Sequence, residues 1–420
     1  MKRVVNRENR IKAGRKMIEM LRSEGIADRS RLALVQLLVP VGLLWAEEEM
    51  RREHQSIVGA SYRRGKEFGP WGNNPGSIYL GEQKVSVVVP RARNRWTNEE
   101  APLASYRRLQ EPKALEAITL RRVLNGLSQR RYERAATQIP ATFGIRKSSV
   151  SRRFVKATGR KLREFLERDL SPYDFVALIL DGKTFAQTQV VIAMGVTLTG
   201  EKIVLGFTEA STENYTICKE FLGRLVNRGL KVDQEILVVL DGAKGLRKGV
   251  VEMFGDKAFI QRCQWHKREN VIRHLDRDKQ DYFRRKLQAA YEQPTYEKAR
   301  ARLDIIRREL RPINESAVAS LDEGIEETLT LHRLKMFVKV GVSLKTTNCL
   351  ENLNKHLGYY TDRVSRWRTS DQKRRWVASV LVDVERRLRQ AKGKEFLPTL
   401  RDMMREAHFK TTFKRFLSAA

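Results

Sequence analysis

The sequence of 420 residues is short of acidic residues and of cysteine. Its 50 aspartates and glutamates face 82 lysines and arginines, which gives a formal net charge of +32 at pH 7. The three cysteines cannot make a disulfide framework, so reduced thiols and a cytoplasmic location are expected. A folded protein this basic usually has a polyanionic partner, and nucleic acid is the first candidate.

A long uninterrupted apolar run is also missing. The longest one, residues 32–46, is broken by Gln36 and Pro40 and is shorter than the roughly 20 residues that span a membrane. It leads into three glutamates rather than into a small-residue cleavage site, so no cleavable signal peptide is expected. Since 41% of the residues are hydrophobic, the chain has enough apolar surface for one or two folded cores.

The excess of positive charge is unevenly distributed along the chain. Residues 1–170 carry a net charge of +18, residues 171–260 carry −1, and residues 261–420 carry +15. In a nucleic-acid-binding protein, a nearly neutral segment is where a metal site is expected, because nearby cations compete with a metal ion for carboxylates. A compact core flanked by basic surfaces explains the same distribution equally well.

The N-terminal part of the chain alternates between helical and turn-rich patterns. Residues up to about 53 predict helices, and residues 68–77, which are rich in glycine and proline, predict a turn-rich break. Alternating apolar and polar residues then predict a β-hairpin that ends in a basic run at residues 90–95. Residues 111–170 return to a helical pattern.

The middle of the chain predicts a mixed α/β fold. Short runs rich in β-branched residues predict five strands, at residues 175–180, 189–198, 202–207, 235–240 and 257–263. Helical patterns at residues 215–230 and 246–254 separate the later strands, as in a mixed sheet with crossing helices. Residues 265–340 are highly charged and helical in pattern, and a last helical block runs from Asn348 to the end.

Two of the predicted strands lead into the same pair of residues, an aspartate and a glycine. These are Asp181-Gly182 and Asp241-Gly242. Neighbouring strands that end in this way would hold both carboxylates a few ångströms apart, which suits divalent cations such as Mg²⁺. The alternative is an ordinary Asp-Gly hairpin turn. That alternative is open for Asp181 and weaker for Asp241, because a helical pattern follows Asp241.

A third acidic residue, Glu351, lies in a segment that begins a helix. It is placed to close a capping box with Asn348. The segment also resembles the helix that carries the last acidic residue of the DDE transposases, in particular of the Mutator-like superfamily and its bacterial insertion-sequence relatives. The motifs that share the resemblance are the hairpin with its Pro-Arg-x-Arg tail at 90–93, LDG at 180–182, LDGAKGL at 240–246, RCQWHK at 262–267 and TTNCLEN at 346–352.

The resemblance implies a fold and a catalytic centre. Asp181, Asp241 and Glu351 match the catalytic carboxylates of an RNase H-like (retroviral-integrase-like) α/β core, which hold two Mg²⁺ or Mn²⁺ ions. The 109 residues between Asp241 and Glu351 are too many for one connection. An all-helical insertion domain accounts for them.

Five parts of the chain follow from these patterns and the resemblance. They are an N-terminal helical region with a β-hairpin for binding DNA ends (1–110), a helix-turn-helix-like DNA-binding domain (111–170), the first part of the core (171–264), the all-helical insertion domain (265–345) and the last part of the core with the helix of the catalytic glutamate (346–420).

Four further residues are secondary site candidates: Cys263, His266, Asn348 and Asn352. The first two match a Cys-x-x-His signature of the same superfamily. A structural zinc ion needs about four ligands, and the sequence offers no second pair close by. The favoured interpretation is a buried structural thiol at Cys263, with His266 near the active site or the DNA.

DNA contacts are predicted on three basic segments. Residues 128–158 have a helix-turn-helix pattern whose second helix starts near Ser148 or Ser149, although a basic solvated helix explains the pattern nearly as well. The other two segments are residues 90–95 and residues 361–376, where basic residues alternate with tryptophans. The residues assigned to DNA are Arg91, Arg93, Arg146, Lys147, Arg152, Arg153, Lys156, Arg366 and Arg368.

The function implied by the resemblance is that of a transposase, which binds the terminal inverted repeats of a mobile element and catalyses metal-dependent DNA cleavage and strand transfer. Its partners would be the double-stranded DNA of the transposon ends and of the target, with no membrane involved. A dimer on DNA is expected, in the cytoplasm and associated with the nucleoid. Two alternatives stay open: an RNase H-like nuclease or resolvase, and a non-catalytic (domesticated) DNA-binding protein.

Overall fold

The computed structural model describes residues 30–59, 67–80, 83–111, 113–124, 142–143, 147–185, 188–210, 214–362, 364, 366–367 and 369–419. The chain divides into two compact units, Met1–Gly159 and Arg160–Ala420. The helices expected before residue 30 and the first helix of the helix-turn-helix pattern lie outside the described residues. Within these described ranges, no helix combines the length and the apolar character needed to cross a membrane.

The first unit contains helices and one long hairpin. Its elements in chain order are α1 (Ser30–Val58), β1 (Phe68–Leu80), β2 (Gln83–Asn94), β3 (Glu100–Ala101), α2 (Ala104–Leu109), α3 (Lys113–Leu124), β4 (Thr142–Phe143) and α4 (Lys147–Leu166), the last of which runs across the boundary between the units. The hairpin packs its apolar face on α1, where Met50, Ile78 and Val87 are buried together.

The prediction of a turn-rich break at residues 68–77 is wrong. These residues form most of β1, which pairs antiparallel with β2 along its length. β1 lies at the edge of its sheet, where a proline removes no ladder hydrogen bond that another strand needs. Pro70 and Pro75 are therefore tolerated, and the register shifts between Pro70 and Asn73 to accommodate the irregular segment.

The second unit is built on the five-stranded mixed sheet that the sequence predicts. Its strands are β5 (Phe175–Phe185), β6 (Thr188–Thr197), β7 (Lys202–Glu209), β8 (Ile236–Leu240) and β9 (Ala258–Arg262), with α5 (Tyr215–Asn227) and α6 (Lys244–Phe254) between the later ones. The spatial order is β7-β6-β5-β8-β9. β5, β6 and β7 pair antiparallel, and β5, β8 and β9 pair parallel.

The sheet is covered on one face by α5 and α6. Leu178 and Val238, on adjacent strands, pack with Phe221 of α5 and Leu246 of α6 in one fully buried cluster. Because β5 and β8 are buried on both faces, they read as continuous apolar runs rather than as alternating ones. Leu180 pairs with Leu240 at the end of this parallel ladder.

Residues 264–362 are all described and contain helices without a strand, as predicted. The helices are α7 (Gln264–Ile272), α8 (Arg277–Tyr291), α9 (Tyr296–Leu310), α10 (Glu315–Asp322), α11 (Ile325–Thr328), α12 (Thr330–Arg333), α13 (Phe337–Leu344) and α14 (Asn348–Thr361). Helices α7 to α11 share a buried core of their own, which includes Phe283 and Leu303. The chain ends with α15 (Ser370–Glu385) and α16 (Leu397–Ala419).

Candidate active site

The first two carboxylates lie on neighbouring parallel strands. Asp181 and Asp241 each follow one member of the pair Leu180–Leu240, which links β5 to β8. Because Leu180 and Leu240 are ladder partners, the backbones of the two aspartates that follow them lie at the same level of the sheet. Neighbouring strands are about 4.8 Å apart. Asp241 emerges directly after the last residue of β8, as the sequence predicts.

Asp181 does not end its strand. β5 continues to Phe185, and Asp181 pairs with Ile192 of β6 inside the antiparallel ladder. Both predicted placements, at the strand end and in an Asp-Gly turn, are therefore wrong. The strand continues because β6 supplies backbone partners as far as the pair Phe185–Thr188, which a periodicity argument on β5 alone cannot reveal.

The loop after Asp241 is held by a glycine and an arginine. Gly242 has a φ of +100°, a conformation that favours glycine. A Cβ at this position would lie 2.1 Å from Nε of Arg262. The Arg262 side chain is fixed in turn, because its Nη1 donates to the Glu323 carbonyl at 2.9 Å. The amide of Ala243 donates to Oδ1 of Asp241 at 3.0 Å, which orients the carboxylate.

Glu351 lies in the first turn of α14, which begins at Asn348 as predicted. The capping box with Asn348 is not formed, because the N-cap residue is Thr347 and no side chain caps the helix. One turn further on, Nδ2 of Asn354 donates to Oδ2 of Asp181 at 3.4 Å. Residues three apart share a helix face, so the Asn354 contact turns Glu351 towards Asp181.

The three carboxylates interact unfavourably with one another in the absence of a cation. Burial first, and then the charges of Asp241 and Glu351, raise the pKa of Asp181 to about 8. Only the nearby Lys183 and a hydrogen bond from the amide of Gly182 act in the opposite direction. Strongly raised carboxyl pKa values are typical of functional sites, where like charges are brought together for a purpose.

The buried threonine Thr347 joins the start of α14 to the start of α7. Its hydroxyl lies 3.3 Å from Nδ1 of His266, and its amide donates to Sγ of Cys263 at 3.4 Å. The amide of Gln264 donates to the carbonyl of Lys345 at 3.1 Å, next to these contacts. Cys263 is fully buried. These contacts fix the position of the helix that carries Glu351.

The charges of two of the carboxylates affect the pKa of His266. Burial lowers its pKa, while Asp241 and Glu351 raise it. Asn348 and Asn352, the other secondary candidates, are both exposed on α14. Sequence reasoning did not single out Asn354 or Thr347. Their signal is spacing, since Asn354 follows Glu351 by one helical turn and Thr347 precedes α14 directly.

The donor set suits an oxygen-preferring cation. Oε1 of Glu351 and Oδ1 of Asn354 are buried and have no hydrogen-bond partner within the described part of the chain. No three His, Cys, Asp or Glu side chains among the described residues lie close enough together to hold one metal ion. Mg²⁺ usually takes one or two carboxylates and completes its shell with water and substrate phosphate, so the residues fit a site that is completed by its substrate.

The residues assigned to DNA in the first unit differ in their surroundings. Arg91 forms a bidentate pair with Glu100, with both N–O distances at 2.7 Å. The guanidinium of Arg93 lies over the ring of Trp71, 4.8 Å from its centre. These two contacts anchor both side chains to the hairpin and its neighbouring strand, and the Arg91 charge is balanced.

The basic helix of the helix-turn-helix pattern, α4, begins at Lys147, close to the predicted start near Ser148 or Ser149. Lys147, Arg152 and Lys156 are exposed, and Arg153 is half-buried. Arg366 is exposed in the segment before α15. The two remaining residues assigned to DNA, Arg146 and Arg368, lie outside the described residues.

Comparisons with known proteins agree with this organisation. A family model described as "Transposase, Mutator family" matches residues 61–391. The transposase for insertion sequence element ISRM5 of Rhizobium meliloti (strain 1021) is 30% identical over 282 residues, which cover 65% of this chain and 68% of that protein. The transposase for IS905 of Lactococcus lactis subsp. lactis (strain IL1403) is 27% identical over 312 residues, or 71% and 75% of the two chains.

A third relative comes from Staphylococcus aureus. The transposase for IS256 in transposon Tn4001 of Staphylococcus aureus is 26% identical over 317 residues, which cover 71% of this chain and 77% of that protein. The family match contains both aspartates, the helical segment and Glu351. The chain therefore belongs to the Mutator family of transposases.

Proposed function

We propose that the chain cleaves the DNA ends of a mobile element and joins them to a target by DDE-type chemistry, with Asp181, Asp241 and Glu351 as the catalytic, metal-binding residues. The observation that carries the proposal is the convergence of the Asp241 and Glu351 charges on the buried carboxyl group of Asp181, whose pKa is raised to about 8. A fold without a use for the cluster would gain stability by neutralising one of them.

The architecture of the second unit supports an RNase H-like core. The central strand β5 carries Asp181, and its parallel neighbour β8 delivers Asp241 at the same level. The helical residues 264–344 have their own buried core and separate Asp241 from Glu351 in sequence. We therefore assign residues 265–345 to an insertion domain of this core, and α14 to the returning helix.

Each residue of the site has a distinct task in the proposed reaction. Two bound Mg²⁺ or Mn²⁺ ions would activate the attacking oxygen and stabilise the leaving oxygen of an in-line displacement at phosphorus. Asp181 and Asp241 would hold the ions, and Glu351 would complete one coordination shell. Asn354 positions Asp181, and Thr347 positions the start of α14. Water attacks first and frees a 3′-OH, which then attacks the target strand.

The basic parts of the chain would hold the DNA. Net charges of +18 and +15 flank the nearly neutral segment with the two aspartates, and phosphate contacts from lysine and arginine supply most of the affinity for duplex DNA. The exposed side chains of Lys147, Arg152 and Lys156 on α4 fit contacts to transposon ends and target duplex. We assign the activity to a homodimer on DNA, in the cytoplasm at the nucleoid.

The test is a strand-transfer assay with labelled duplexes that carry the ends of the encoding element, with Mg²⁺ or Mn²⁺ present. The wild-type protein should cleave and join these ends. Asp241→Ala should be inert and still bind the duplex, whereas the control Asp233→Ala, at an exposed position before β8, should be active. Equal activity in Asp241→Ala and the wild type would refute the catalytic assignment.

The same assay separates the two alternatives. A nuclease or resolvase of the same fold would cleave the duplex without joining the 3′-OH to target DNA. A non-catalytic DNA-binding protein would bind the ends and produce neither product. One buried oxygen of Glu351 has no hydrogen-bond partner among the described residues. This favours a catalytic role, because a binding protein has no use for an unsatisfied acceptor at this position.

A further inference from the structure

A cavity of about 560 Å³ lies beside the carboxylates, between the last residues of β5 and α14. This volume is in the range of pockets that take small organic ligands. Its walls combine apolar and aromatic side chains with two lysines. The lining residues used below are Lys183, Asn354, Lys355, Gly358, Tyr359 and Trp367.

The aromatic side chains of the cavity offer surfaces for stacking. Trp367 is held edge-to-face against Phe185, with ring centres 4.9 Å apart, and against Trp376, at 6.1 Å. Two such neighbours restrict the indole, so it can receive a ligand at little entropic cost. Tyr359 is 61% exposed, so its ring is accessible to a ligand.

The charged groups of the cavity suit a ligand with a phosphate. Lys183 and Lys355 are exposed at its rim, and Asp362 is the single acidic residue that lines it in the described part of the chain. The balance is therefore positive, and lysine is a common point contact for phosphate.

The cavity is kept open by a glycine in the last turn of α14. Glycine destabilises a helix relative to alanine, so its presence calls for a reason. A Cβ at Gly358 would meet only one atom within 4 Å, Oδ1 of Asp362 at 3.9 Å. Packing within the protein therefore does not require glycine here, and a larger side chain would project into the cavity.

The cavity adjoins the proposed reaction centre directly. Asn354 lines it and also donates to Asp181. Lys183 lines it and lies two residues after Asp181, close enough to lower the pKa of that carboxyl. A group bound in the cavity is therefore about one nucleotide away from a phosphate held at the carboxylates.

We propose that this cavity binds one unpaired nucleobase of the DNA strand, the base that adjoins the phosphodiester at Asp181 and Asp241. The base stacks on Trp367 and Tyr359, and its phosphate contacts Lys183 or Lys355. This inference rests on the proposed function, since it takes DNA as the substrate. Extruding a base from a duplex is unfavourable, and stacking on aromatic side chains offsets much of that penalty.

The test uses two pentanucleotides. The first carries a single base, a central 2-aminopurine, and is abasic at the other four positions; the second is abasic throughout. Binding is measured in EDTA, so that no cleavage occurs. The wild-type protein should prefer the first probe about 10-fold, and stacking should quench the 2-aminopurine fluorescence.

The variant Gly358→Met fills the cavity with a good helix-forming residue. It should bind both probes equally and leave the fluorescence unquenched, while Gly358→Ala, which adds a single carbon to the cavity wall, should lose only part of the preference. Tyr359→Ala, at an exposed position, should also lose most of the preference. If Gly358→Met does not fold, this variant tests the same proposal. Preference and quenching in Gly358→Met equal to those of the wild type would overturn the proposal.

The outcome is independent of the catalytic assignment. Asp241→Ala should keep the preference for the base-carrying probe, because Asp241 does not line the cavity, although it should not cleave DNA. Cleavage by Asp241→Ala would refute the catalytic assignment and leave the base preference as measured. If the wild-type protein shows no base preference, the role of the cavity is refuted and the catalytic assignment of the carboxylates still stands.

Discussion

Replacing Asp181 by asparagine should stabilise the metal-free protein near neutral pH. Burial and the two neighbouring carboxylates raise the pKa of Asp181 from the usual 3.8 to about 8. Between these values the folded protein binds a proton that the unfolded chain has released. The free energy of unfolding therefore falls as pH rises through this window, and its full value is present only below about pH 4.

The size of the effect follows from the shift in pKa. Each pKa unit corresponds to 1.36 kcal/mol, so the roughly three units between pH 3.8 and pH 7 amount to a loss on the order of 4 kcal/mol. The asparagine side chain of the variant carries no charge at any of these pH values. The advantage of Asp181→Asn should therefore approach this figure at pH 7 and vanish towards pH 4.

The measurement is urea unfolding at several pH values between 4 and 8, first in EDTA and then with Mg²⁺. In Mg²⁺ the order should reverse, since a ligand of the folded state stabilises the wild type and the variant lacks a carboxylate that we propose to hold the ion. Asp233→Asn, at an exposed position of the same unit, is the control and should show neither effect. An advantage of Asp181→Asn that does not depend on pH would refute the electrostatic reasoning.

Three further predictions concern other parts of the molecule. Gly242→Ala should lower the free energy of unfolding by about 2 kcal/mol or more and abolish cleavage, because its Cβ would collide with Arg262. The control Gly255→Ala, also at positive φ but with open space around it, should lower the free energy of unfolding and leave cleavage unchanged. Thr347→Val should lower the cleavage rate about 10-fold at unchanged DNA affinity, since it loses the hydroxyl contacts to Cys263 and His266, and single-turnover kinetics would show it. Affinity for duplex DNA should fall about 10³-fold between 50 and 200 mM salt if six or more phosphates are contacted, and a flat salt profile in a filter-binding assay would contradict the role of the basic segments.

Local patterns were enough to predict much of the second unit. The strand before Asp241 and the helix that starts at Asn348 are where the sequence places them, because a buried apolar run and a helical period each involve only near neighbours in sequence. The order of strands and helices from Phe175 to Arg262 is also as predicted.

The sequence-based predictions fail where pairing with another strand determines the local structure. β5 continues past Asp181 because β6 pairs with it, and β1 includes Pro70 because an edge strand tolerates proline. The contact of Thr347 with Cys263 joins residues 84 positions apart. No period or motif within either segment contains that information, since it depends on how α7 and α14 are brought together.

The hydrogen bond between the amide of Gln264 and the carbonyl of Lys345 brings the two ends of the helical segment together. Contacts within the segment's own core offset the entropy that is lost when so long a loop is closed. The separation of the carboxylates therefore does not depend on how many residues lie between the two ends. Helical turns added or removed beyond this closure should therefore leave the separation of Asp241 and Glu351 unchanged.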